Sequence, residues 1–89
     1  MEIKLNIEAK EQRINQYYNE AIEKVTEYAN DGFDLSEHVF PNDIYKEVRT
    51  KINEHMETFD IGFRWMSIGG MNSVSVGEGR LMRFKLLNK

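Results

Sequence analysis

Few side chains in this chain could do chemistry, and the first to weigh are its two histidines, His38 and His55. A histidine–carboxylate metal centre needs three or four converging ligands, and neither a His-x-x-Glu nor a His-Glu-x-x-His spacing occurs. With Glu37 beside His38 and Glu54 beside His55, both read as surface or boundary histidines. There is no cysteine, which excludes a disulfide framework, a thiol nucleophile, an iron–sulfur cluster and every zinc site built on thiolate. Ser36, Ser67, Ser73 and Ser75 all lack the Gly-x-Ser-x-Gly setting of a nucleophile elbow. No catalytic residue, metal site or cofactor is expected, and the chain reads as non-enzymatic.

The glycine-rich interval from Gly69 to Arg80 invites comparison with phosphate cradles and fails it. Gly69-Gly70 lacks the Gly-Lys-Ser or Gly-Lys-Thr of a P-loop, and Gly77-Glu78-Gly79-Arg80 lacks the third glycine and the βαβ setting of a dinucleotide site. Turn chemistry is the simpler reading.

Charge segregation carries more information. Residues 1–60 hold seven Lys or Arg against fourteen Asp or Glu, whereas residues 61–89 hold five basic residues and one acid. The cations Arg64, Arg80, Arg83 and Lys85 interleave with Phe63, Trp65 and Phe84. A basic ribbon with aromatic residues can hold single-stranded nucleic acid, by phosphate neutralisation and base stacking, or an acidic protein surface. The plainer account puts the aromatics in the core and the arginines on a solvated face, since strand neighbours point to opposite sides. Tyr17 and Tyr45 are further partner-binding candidates, each next to a residue of an apolar helical stripe and about 100° away from it.

These residues need elements to position them. Ile3, Leu5 and Ile7 alternate with polar residues, which predicts a short first strand. Ile14, Tyr17, Tyr18, Ala21, Ile22, Val25, Tyr28 and Ala29 then follow the three-and-four spacing of an amphipathic helix, stopped by Asn30-Asp31-Gly32. Residues 33–40 form a candidate strand closed by Pro41. A second helix, capped by Asn42 or Asp43 and ending near Thr58, presents Ile44, Val48, Ile52, Met56 and Phe59 inward. Ile61, Phe63 and Trp65 pair as antiparallel strands with Met82, Phe84 and Leu86. Ser73 to Val76 is either a short extra strand, giving a meander, or part of a mobile flap.

The expected fold class is therefore α+β. Two amphipathic helices pack on one face of a small, mostly antiparallel three- or four-stranded sheet, in the order β-α-β-α-β-β, within a single domain over residues 1–89. The N-terminus lacks the apolar run of a signal peptide or membrane span, so a cytoplasmic protein without membrane contact is expected. Small size and an Asn-, Lys- and Ile-rich composition suit a protein-binding or regulatory accessory protein, of a phage or mobile element, acting on a host protein. The alternatives are single-stranded nucleic-acid binding through the basic hairpin and a small structural homo-oligomer.

Overall fold

Asn6 starts the first helix, because its side-chain oxygen accepts the Ala9 amide at 3.0 Å and satisfies one donor that a helix start leaves free. The structure is a computed structural model that describes residues 2–56 and 61–88. Helix α1 spans Ile7–Asn30, strand β1 Leu35–Pro41, helix α2 Tyr45–Met56, and strands β2, β3 and β4 span Ile61–Met66, Val74–Val76 and Gly79–Asn88. This is the expected α+β class, two helices with a four-stranded antiparallel sheet.

The first expected strand does not form. Residues 2–6 adopt neither helix nor strand, and their apolar side chains stand in solvent. Period two there was legible, but Asn6 commits the chain to a helix cap before any partner strand is met.

α1 ends as its glycine demands. Gly32 takes φ 85°, its amide bonds to Ala29 O, and the Phe33 amide bonds to Tyr28 O at 2.8 Å, which is a Schellman motif. The Phe33 and Tyr28 rings meet edge-on at 5.8 Å, the apolar contact that accompanies this cap. The inner stripe of α1 buries Tyr18, Ala21 and Val25. That of α2 begins one residue before the helix and buries Ile44, Val48 and Ile52 completely. Met56 and Phe59, expected on the same stripe, and the expected helix end near Thr58 fall outside the described residues and side chains, as does the Phe63 side chain.

A guanidinium–carboxylate fork ties α1 to the turn that leads into α2: Arg13 donates from its two terminal nitrogens to the two oxygens of Asp43, at 2.8 and 3.0 Å. The hydrogen bonds hold the Asp43 carboxyl below its usual range and the Arg13 guanidinium above its own.

β4 is the centre of the sheet. β1 lies along one side of it, with Leu35 opposite Lys85 and Pro41 opposite Gly79. β2 and β3 share the other side, β2 facing residues 83–88 and β3 facing residues 79–81. The segment between them leaves the sheet and turns back at Ile68-Gly69-Gly70-Met71, where φ of 60° and 83° at the two glycines meets the need of a two-residue hairpin. Val74–Val76 is thus a strand, but the expected meander does not form, because β3 pairs with β4 beside β2 and not between the two.

Alternation sends Ser36, His38, Phe40, Met82, Phe84 and Leu86 toward the helices, and all six are buried. His38 corrects the expectation of a surface or boundary histidine. It lies in the core, its ring parallel to those of Phe84 and Phe40 at 5.0 and 5.9 Å. Desolvation and the charge of Lys24 push its pKa down to about 4.

Candidate functional site

The register of β4 divides the four expected cations between two surfaces. Arg83 and Lys85 occupy odd positions and face away from the helices, beside Arg64 of β2, which lies opposite Lys85. There Arg83 grips Glu37, its Nε at 2.8 Å and its Nη2 at 2.5 Å from one carboxylate oxygen, and Lys85 approaches Asp34 at 3.9 Å. Arg80 occupies an even position and faces the helices, beyond the end of the core. The basic hairpin is therefore not one cationic face.

Arg80 is held in place from both sides. Its Nε donates to Ser73 Oγ at 2.8 Å, Nη1 to Ser75 Oγ at 3.2 Å and Nη2 to Ser73 O at 3.1 Å. Its guanidinium lies 5.5 Å from the centre of the Tyr45 ring. Three of its five N–H groups are engaged by β3 and the residue before it, which leaves two for a ligand. Ser75 pairs directly with Arg80 across the β3–β4 ladder, so strand register creates this brace.

Tyr45 brings in α2. Tyr45, Arg49 and Asn53 are spaced by four and share one side of the helix, with Lys46 and Thr50 alongside. Lys46 Nζ stands 5.9 Å from the Tyr45 ring centre, and the Arg49 guanidinium stands 4.9 Å from that of Trp65. Trp65 in turn donates its indole N–H to Asn53 Oδ1 at 2.5 Å, so β2 buttresses the same helical side. Packing of the indole against Phe84, edge-on at 5.0 Å, fixes it from the core.

Tyr45, Lys46, Arg49, Thr50, Asn53 and Arg80 line an open groove of about 620 Å³ between α2 and the Met71–Ser73 excursion, with Trp65 behind Arg49 and Asn53. Its lining contains Lys46, Arg49 and Arg80 and no carboxylate among the described residues. Among the described residues those three cations form no ion pair, whereas Lys10, Arg13, Arg83 and Lys85 all do. The arrangement can bind an anion. Among the described residues it offers no paired carboxylates and no histidine for proton transfer, and no cluster of His, Cys, Asp and Glu that could hold a metal.

The sequence pointed to Arg80 and Tyr45 for separate reasons, and the structure brings them into contact. It does not bring Arg64, Arg83 or Lys85 to the groove, and Tyr17 packs partly into the core. Lys46, Arg49 and Asn53 were missed. The four-residue steps from Tyr45 to Arg49 and Asn53, with Lys46 adjoining Tyr45, were the available signal, masked because the first sixty residues are so acidic in total.

No helix among the described residues is long and apolar enough to cross a membrane. No protein-family model, curated protein or solved structure matches this chain.

Proposed function

We propose that this is a non-enzymatic binding module that holds an acidic segment of a protein partner in the groove between α2 and the Met71–Ser73 excursion. The observation that carries the reading is the gathering of three cations, Lys46, Arg49 and Arg80, that have no carboxylate partner among the described residues, in a chain with more acids than bases. A protein with formal charge −3 that leaves such cations together favours a short anionic ligand at that place over a long polyanion. From Tyr45 to Asn53 the helix advances about 12 Å, the length of roughly four extended residues.

Single-stranded nucleic acid is the weaker reading. Base stacking needs a free aromatic face, and the Tyr45 ring that lines the groove already carries the cations of Arg80 and Lys46, as the Trp65 ring behind the groove carries that of Arg49. The partner would be a host protein if the chain is an accessory protein of a phage or mobile element, as its composition suits, and such a module acts in the cytoplasm.

The test is an NMR titration with hexaglutamate as probe and an oligothymidylate as comparison. Hexaglutamate should shift the amides of Arg49, Asn53, Ser73 and Arg80, and Arg80→Ala should weaken binding about tenfold, the loss of one charge-assisted contact. Shifts confined to Arg64, Arg83 and Lys85, or tighter binding of the oligothymidylate, would overturn the proposal.

A further inference from the structure

The segment before α1 keeps the pattern of a strand without being one. Ile3 and Leu5 are 89% and 66% exposed, alternate with Lys4 and Asn6, and pair with no strand among the described residues, while Ile7, 57% exposed, already opens α1. Alternating aliphatic residues left this exposed are what a strand with one buried face would present to a sheet.

The sheet has an edge to receive it. Asp34 O accepts the Leu86 amide at 2.7 Å and the Asn42 amide donates to Glu78 O at 3.2 Å, so the even-numbered residues of β1 bond to β4. The backbone groups of Leu35, Glu37 and Val39 therefore point to the open side, and the reach of Lys24 Nζ to Glu37 O at 3.4 Å agrees. Leu35 and Val39, 40% and 46% exposed, put their side chains on the outer sheet face along this edge. The opposite edge is broken between β2 and β3 by the excursion, which leaves β1 as the longer continuous one.

We infer that residues 2–6 of one copy add as a strand to the β1 edge of a second copy, and reciprocally, to make a two-fold dimer. Strand addition pairs the edge amides and carbonyls, replacing Lys24 at Glu37 O, and alternation seats Ile3 and Leu5 on the outer face, one opposite Glu37 and the other opposite Leu35 or Val39. Lys4 then points to the helix side, where Glu20 borders the same edge next to Val39. A strand edge is an association site by default even where one lysine reaches it, as Lys24 does at Glu37 O, and here the chain itself carries the matching segment.

Sedimentation equilibrium tests this, with circular dichroism to verify that each variant folds. The parent should have twice the 10.5 kDa chain mass. Leu5→Asp, in a segment outside every element, and Val39→Asp, on the exposed face, should both sediment as folded monomers, while Arg80→Ala stays dimeric. A parent mass other than the dimer's, or a dimer that survives either aspartate substitution, would overturn the inference. None of these outcomes depends on the groove binding hexaglutamate.

Discussion

The Ser36 hydroxyl lies 2.5 Å from His38 Nε2, and both residues are buried between the sheet and α1. The contact satisfies a polar ring in an apolar setting, while the burial disfavours its charged form. Because the folded pKa is about 4 and the ordinary value 6.5, the unfolded chain takes up the proton first as pH falls. His38 therefore leaves stability intact above pH 6.5 and reduces it progressively toward pH 4, by at most about 3 kcal/mol. Urea unfolding of the parent and of His38→Gln between pH 7.5 and 4.5 should show a steeper acid loss in the parent. Parallel curves would mean that the imidazole is not sealed from water.

Trp65 is the one tryptophan and reports on the groove. Its ring lies under Arg49 and its N–H is bound to Asn53, so a ligand that draws Arg49 away should change the indole emission. Hexaglutamate should alter fluorescence with the midpoint found by NMR, and Arg49→Ala should abolish the change. Constant emission during saturable binding would place the ligand elsewhere.

The Arg83–Glu37 pair on the outer face offers a contrast. It is half-exposed, so Glu37→Ala should cost less than about 1 kcal/mol in denaturant unfolding. Hexaglutamate affinity should be unchanged within twofold, because Arg83 faces away from the groove. A marked gain in affinity would show that the freed Arg83 was the better anion site.

The cap at Gly32 is a local test of the fold. Gly32→Ala forces a side chain into the left-handed region and should destabilise the protein by about 1 kcal/mol, whereas Ile52→Ala should cost about 2 to 5 kcal/mol by opening a cavity in the sealed core. Thermal or urea unfolding ranks the two directly, and a Gly32→Ala variant less stable than Ile52→Ala would contradict the assignment of core and cap.

Sequence periodicity alone determined the two inner helical stripes, the stop at Gly32 and the strands around Trp65 and Phe84, because each of these is set by neighbours two to four residues away. Tertiary structure decided the rest. The segment around Ile3 and Leu5 has strand spacing but no partner within the chain, and the burial of His38 depends on α1 covering β1. That Arg80 leaves Arg83 and joins Arg49 and Lys46 follows from the register of β4 between β1 and β3 and from the packing of α2 beside it. Contacts between residues dozens of positions apart are fixed by how elements dock, and local spacing carries no record of that.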